Sequence, residues 1–467
     1  MAEHLLFLTG RLAHARLTRI LEGMAAGFTW EVVDIGVKVA ALMTEEIIRR
    51  RLPAPVHADR VLLPGRFRGD LAALAAHYGV PFARGPEDVG DLPAFFGAAA
   101  RAPDLSRYDV TIFAEIVDAS ALDLAAILAR ARAHRADGAD VIDLGALPDT
   151  PFPQLEAAIT VLHGEGFRVS LDSADAGLLR RAALAGADFL LSLTEETLGL
   201  ADGTAAVPVL IPATPGDLPS LLRAIDRRAA QALPFLADPV LDPIHFGFAA
   251  SLGRYLELRR ARPAAEILMG IGNLTELTDA DTTGVTATLM GIASELAIRA
   301  VLVVQVSPHC HRAVAEADRA RRMFFAAREA ASLPVGFDSA LLALHDRRPY
   351  AATAEEIAAL AAMIGDANFR IETAADGIHI YNRALHAVAT DPYALFPRLG
   401  VEADGAHAFY LGVETAKAEI AWRLGKRYAQ DEPLGWGVAA PAPERDLSRH
   451  TLAGATLPTR RRKGGAG

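Results

Sequence analysis

From Val110 to about residue 320, short apolar runs alternate with longer Ala- and Leu-rich stretches, and most of the runs end in a carboxylate, an amide or a glycine. The clearest runs are VTIFAEIVD (Val110 to Asp118), VIDLG (Val141 to Gly145), RVSLD (Arg168 to Asp172), FLADP (Phe235 to Pro239) and ILMGIGN (Ile267 to Asn273). Runs this short are strands, and the stretches between them are long enough for one helix each. The pattern predicts strands near 110–117, 141–145, 168–172, 189–193, 207–211, 234–238, 267–272 and 300–306. A parallel strand pair needs a crossover of about a dozen residues or more, and eight such units in succession predict a (β/α)8 TIM barrel over residues 108–332.

The flanks carry other patterns. Residues 1–100 alternate short apolar runs (HLLFLTG, FTWEVVDIG, DRVLLPG) with helical stretches, the mark of a doubly wound α/β domain. Two of its turns set arginine beside glycine, Gly10-Arg11 and Gly65-Arg66-Phe67-Arg68-Gly69. PEDVGDLPAFFGAAARAPDL reads as a linker. Residues 340–440 predict an α+β appendage, with a hairpin NFRIETAADGIHIYN turning at Asp376-Gly377 and a helix from about Ala408 to Tyr428. Residues 441–467, rich in Pro, Gly and Arg, read as a flexible tail.

Composition narrows the partners. The 467 residues are 52% apolar and 22% charged, as in a globular enzyme of two or three domains. A formal net charge of -10 spread along the chain argues against nucleic acid or an anionic membrane surface as partner. The single cysteine, Cys310, excludes an intramolecular disulfide framework, and no apolar run suits a signal peptide or a membrane span. The expectation is a cytoplasmic protein that forms a homo-oligomer.

A barrel of this kind does its chemistry at the C-terminal ends of its strands, where Glu115, Asp118, Asp143, Asp172, Asp238 and Asn273 fall. A strand-end aspartate is ordinarily a helix cap. Three caps need not converge, so Asp143, Asp172 and Asp238 together point to a site for a neutral ligand rich in N–H donors. Pro308-His309-Cys310-His311 follows strand eight; adjacent residues rarely share one ion, which leaves His309 as the contributor. The acidic run Glu276, Asp279, Asp281 is a further place for Mg2+, although a solvated loop is its ordinary reading.

The motifs GADVIDLG, VSLDS, AGADFLLSL, ADPVLDPIHFGF and MGIGNLTELTDADTTG, in this order, resemble the pterin-binding barrels: dihydropteroate synthases and methyltransferases that use reduced pterins. The whole chain looks most like the dihydropteroate synthase-like proteins associated with tetrahydromethanopterin in archaea and methylotrophic bacteria. The resemblance implies a reduced pterin as ligand or substrate. Asp238 would accept from the ring's adjacent N–H and NH2 groups, Asp172 and Asp143 would be further ring-side carboxylates, and Glu115 and Ser192 would complete the pocket. Gly247, in Phe246-Gly247-Phe248, would let backbone approach the ligand. Asp172 and Asn273 would carry the catalytic role.

The departures matter as much. Where a dihydropteroate synthase has a lysine after strand seven and an arginine and a histidine at strand eight, this chain has Gly272-Asn273, Gln305 and Ser307. Asn273 matches instead the pterin methyltransferases, whose asparagine contacts the ring nitrogen that bears the methyl group. An anionic leaving group would then need Mg2+, His309 or the arginines Arg11, Arg66 and Arg68 of the N-terminal domain. The leading expectation is a transferase that joins the pterin to an arylamine with loss of diphosphate. The alternatives are a methyltransferase served by a separate corrinoid protein, and a non-catalytic pterin carrier or assembly subunit.

Overall fold

The computed structural model describes residues 2–441 except 25–26, 38–39, 41–42, 87–88, 98–102 and 148–149. The expected tail therefore lies, but for residue 441, outside the described residues, as do parts of the expected linker. The chain divides into two compact units at 338/339.

The first unit holds two sheets. The N-terminal sheet has strands β1 (His4–Thr9), β2 (Thr29–Asp34), β3 (Arg60–Leu63) and β4 (Phe82–Arg84), all parallel in the order β2-β1-β3-β4. β4, three residues long, is too short to announce itself by periodicity. Its Arg84 donates to the carbonyls of Phe67 (2.7 Å) and Gly69 (3.0 Å), which fixes the Gly65–Gly69 turn. Within the expected linker, Leu92 packs into this domain's core beside Leu5 and Phe7.

The second sheet is the barrel. Its strands are β5 (Thr111–Ile116), β6 (Val141–Gly145), β7 (Arg168–Asp172), β8 (Phe189–Leu193), β9 (Val207–Leu210), β10 (Leu236–Ala237), β11 (Leu268–Gly270) and β12 (Ala300–Val303). They run parallel in the order β10-β9-β8-β7-β6-β5-β12-β11, and an Ala237–Ile267 bridge links the two edges. The (β/α)8 barrel expected from the pattern is thus the fold. Phe113, Val141, Phe189, Leu191, Val209, Leu268 and Ala300 cluster as its interior. Side chains alternate along a strand, so residues two further on continue the inward column: Glu115 above Phe113, Asp143 above Val141, Asp238 above Leu236.

Strands six to eight are shorter than their apolar runs suggest. β11 stops at Gly270 because Gly272–Thr275 turns into a short helix, so Asn273 stands on that turn. β12 stops at Val303, leaving Gln305 and Ser307 in the loop beyond it.

The N-terminal domain meets the barrel through the helix Arg11–Gly23. Arg19 donates to the carbonyl of Glu329 (2.7 Å), and Arg16 lies over the Phe337 ring at 5.6 Å. Glu329 ends the helix Ala313–Glu329 that follows β12. That helix starts at the C-terminal face of the barrel, so its end lies at the N-terminal face. This contact is therefore opposite to the mouth, where an anion pocket would draw on the arginines of this domain.

In the second unit, antiparallel strands β13 (Arg370–Ala374), β14 (Gly377–Asn382) and β15 (Leu385–Ala389) form one sheet, with the expected turn at Asp376-Gly377. Its apolar residues Ile371, Ile378 and Ile380 share a core with Leu411, Ala418 and Ala421 of the helix Gly405–Leu424. That helix ends four residues before the expected Tyr428 because Gly425 takes a left-handed conformation, φ +61°. No helix among the described residues is long and apolar enough to cross a membrane.

Candidate active site

Three adjacent strands build the acidic side of the mouth. In the parallel register Glu115 of β5 lies beside Asp143 of β6, Asp143 beside Ser170 of β7, and Gly145 beside Asp172. One oxygen from each of Glu115, Asp143 and Asp172 falls within 4.8 Å of the other two. Gly145 is what lets Glu115 in: a Cβ there would stand 2.7 Å from Glu115 Oε1 and 2.7 Å from the Val117 carbonyl.

The electrostatics follow from burial. Asp143 is fully buried; its Oδ1 accepts from the Ser170 hydroxyl, and its Oδ2 has no hydrogen-bond partner. Burial holds its carboxyl well above the usual carboxylate range, with Asp172 and Glu115 pushing the same way. Burial, then the charges of Asp172 and Glu276, push Glu115 up to about 7. Asp172 is pushed up to about 6 by burial and by Asp238.

Asp238 closes the ring of acids from the far side. Burial pushes it up to about 6, against the pull of the Tyr255 hydroxyl, the Val240 amide and the Arg254 charge. Tyr255, on the helix Phe248–Ala261, donates to Asp238 Oδ1 at 2.5 Å, and the Val240 amide donates to the same oxygen at 2.8 Å. Val240 takes φ +64°, a conformation that costs a β-branched residue about 1–3 kcal/mol. The strain sits where backbone turns to face Asp238. Arg254 is spent on the same loop: it donates to the carbonyls of Pro239 (3.1 Å) and Val240 (2.8 Å) and pairs with Asp242 (2.6 Å).

The remaining expected residues divide. Asn273 donates from Nδ2 to the Leu241 carbonyl at 2.9 Å, tying the β11 turn to the loop that follows β10. Gly247 has φ +124° and packs against Asp242, 2.9 Å from where its Cβ would be. Phe246 beside it is 82% exposed. Ser192 is half-buried on β8. Asp118 is held outside the acid cluster by an ion pair with Arg130.

Beyond strand eight, His309 Nε2 lies 3.1 Å from the Thr275 carbonyl. The buried Cys310 donates to the same carbonyl (3.3 Å), and burial, with Glu276 beside it, pushes its thiol up to about 12, which disfavours the reactive thiolate. Glu276 of the acidic run Glu276, Asp279, Asp281 is engaged with backbone. Its two oxygens accept from the amides of Val306 (2.7 Å) and Ser307 (3.0 Å), and among the described residues the acids that could share an ion are Glu115, Asp143 and Asp172.

Sequence reading missed Tyr255, Val240, Arg254, Ser170 and Gly145. Ser170 had a signal, since it stands two residues before Asp172 and so on the same face. Tyr255 had none: one tyrosine in a helix says nothing of where its hydroxyl goes.

Residues 3–87 match a family of unknown function, DUF6513. The chain is 28% identical over 373 residues, 70% of its length and 70% of the relative's, to the uncharacterized protein MJ0107 of Methanocaldococcus jannaschii. Solved structures with some similarity include a Yersinia pestis dihydropteroate synthase bound to a pterine-sulfa conjugate (18% identity, TM-score 0.39, 48% of this chain and 96% of that one). Others are Mycobacterium tuberculosis Rv1207 (22%, TM-score 0.36, 49% and 94%) and the Anaplasma phagocytophilum dihydropteroate synthase with 6-hydroxymethylpterin-monophosphate (17%, TM-score 0.36, 46% and 98%). At such identities and TM-scores, nothing about activity passes from these structures to the present chain.

Proposed function

We propose that the barrel mouth binds a reduced pterin and that the protein is a dihydropteroate synthase-like transferase acting in the biosynthesis of a pterin one-carbon carrier of the tetrahydromethanopterin type. The observation that carries this reading is the pair of half-buried Asp172 and buried Asp238 at the C-terminal ends of their strands, close enough for the charge of Asp238 to raise the pKa of Asp172. Tyr255 and Val240 both donate to Asp238 Oδ1; Asp238 Oδ2 and the Asp172 carboxylate suit a ligand edge made of N–H groups, and a pyrimidinone edge offers two side by side. In the reaction proposed, Asp172, Asp238 and Asn273 orient the ring, an arylamine nitrogen attacks the exocyclic methylene, and diphosphate leaves. The proton released by the arylamine needs an acceptor, which a mouth carboxylate supplies. The setting would be cytoplasmic.

A second reading, methyl transfer or pterin carriage, is favoured by one observation. The N-terminal arginines Arg16 and Arg19 touch the barrel at the face opposite the mouth, so this contact brings no cation to a leaving anion. The test is calorimetric titration of the full chain with a reduced pterin, then incubation with its hydroxymethyl diphosphate ester and 4-aminobenzoate. Binding that Asp238→Asn weakens supports the pterin reading, and release of diphosphate supports condensation. Binding without diphosphate release hands the lead to the second reading, and no binding overturns both.

A further inference from the structure

The helix Gly405–Leu424 of the second unit is apolar on two opposite sides. Leu411, Ala418 and Ala421 are buried against the sheet. On the far side stand Phe409 (72% exposed), Val413 (42%) and Ile420 (43%), with the exposed Ala416 between the last two. A helix turns about 100° per residue, so positions 409, 413, 416 and 420 fall in one stripe along its outer surface. The charged residues keep to the flanks, where Lys417 pairs with Glu414 and Arg423 with Glu419. A surface helix ordinarily turns charges outward, and one that is apolar on both sides is covered on both.

We propose that this stripe packs antiparallel against the same stripe of a second copy of the chain, forming a two-fold homodimer. The stripe is its own complement. The steps 409 to 413, 413 to 416 and 416 to 420 are four, three and four residues, the same read in either direction. Antiparallel pairing about the midpoint therefore sets Val413 of one copy against Ala416 of the other, and Phe409 against Ile420, twice over. The small Ala416 lets the two helices approach closely at the centre while the large side chains close the ends. Charge chooses the same arrangement. Glu402 and Asp404 precede the helix, Arg423 lies in its last turn and Arg427 follows it, so antiparallel pairing brings each acidic end beside the other copy's basic end. The helix dipoles then oppose one another as well. Parallel pairing would bring like ends together. This dimer does not rest on the pterin reading.

The experiment is sedimentation equilibrium of the full-length protein over roughly 0.5 to 100 µM, the range in which an interface the size of one helix pair assembles. Monomer at the low end and dimer at the high end is expected. Val413→Glu sets two like charges about 4.5 Å apart along the paired helices and should raise the dimer Kd roughly a hundredfold or more. Val413 lies on the surface of the monomer, so the variant's melting temperature at the low end should match the parent's. Val413→Lys should behave in the same way. An equimolar mixture of the two variants should recover the dimer, because two-fold pairing then sets each Glu beside a Lys. A parent that stays monomeric throughout overturns the proposal. So does a dimer that the substitutions at Val413 leave intact, or a mixture of the two monomeric variants that fails to associate. If Val413→Glu does not fold, loss or survival of the dimer in Val413→Lys decides.

Discussion

The hydroxyl of Tyr255 donates to Oδ1 of Asp238 over 2.5 Å, and both groups are buried. The carboxylate offered to the mouth is therefore held in its ionised form by a residue from the helix outside the barrel. Asp238 is pushed up to about 6 by burial despite that bond. Its ability to accept two donors from a ligand should fade as pH falls through 6. Reduced-pterin affinity is expected to be constant from pH 8 to 7 and to drop below 6. Tyr255→Phe removes a hydrogen bond to a charged group, worth about 1.5–3 kcal/mol, and should move that midpoint upward by about one to two pH units. Calorimetry across pH 5 to 8 checks this, and a midpoint that ignores Tyr255 would separate the tyrosine from the site.

The same residue has a stability signature. The folded-state pKa of Asp238, about 6, lies above its unfolded value near 3.8. Between those values the folded state binds more protons than the unfolded state, so this group makes stability rise as pH falls from 8 toward 5. Above pH 7 the buried charge costs on the order of 1–3 kcal/mol. Asp238→Asn should raise the melting temperature at pH 8, raise it little at pH 5, and flatten the slope between them. An equal shift at both pH values would show that Asp238 titrates as an exposed carboxylate does.

Gly145 offers a steric test. A Cβ there would meet Glu115 Oε1 and the Val117 carbonyl at 2.7 Å, and the Val117 Cα at 2.8 Å. The carboxylate can move but the backbone of β5 cannot, so Gly145→Ala is expected to cost about 1–3 kcal/mol. Differential scanning calorimetry should show the melting temperature falling by several degrees. An unchanged melting temperature would mean that the mouth of β5 gives way easily.

The barrel and its acids were legible in sequence for one reason. Parallel strands buried on both faces read as continuous apolar runs, and a carboxylate at the end of such a run has only the mouth to face. VIDLG and RVSLD are clear on both counts. Where the chain leaves the strand early the reading slipped: Gly272 permits a helical turn that moves Asn273 off β11, and nothing in ILMGIGN forbids either form. Contacts between distant segments were not legible at all. The Tyr255–Asp238 bond, the Arg84 clamp on the Gly65–Gly69 turn and the Arg19 contact with Glu329 join residues whose local patterns are those of any surface helix or short strand.

The opposite face of the barrel should behave differently from the mouth. Arg321 is 2% exposed and donates to the carbonyls of Val110 (2.6 Å) and Gly138 (2.8 Å) and to Asp318 (2.7 Å). It also pairs with Asp140 and lies over the Tyr108 ring, 3.6 Å from its centroid. Asp140 in turn accepts from the Ile112 amide at 2.8 Å, so one guanidinium ties the last barrel helix to the start of β5 and to the turn before β6. Lysine has a single nitrogen and no planar fork, and cannot reach these acceptors together. Arg321→Lys should therefore cost about 3–5 kcal/mol, leaving buried acceptors without donors. The protein that remains folded should bind reduced pterin as the parent does. Asp172→Asn should give the reverse, with lost binding and a melting temperature equal or higher. Thermal denaturation and ligand titration of both variants make the comparison. Unchanged binding in Asp172→Asn together with a lowered melting temperature would make Asp172 a structural group and move the site elsewhere on the mouth.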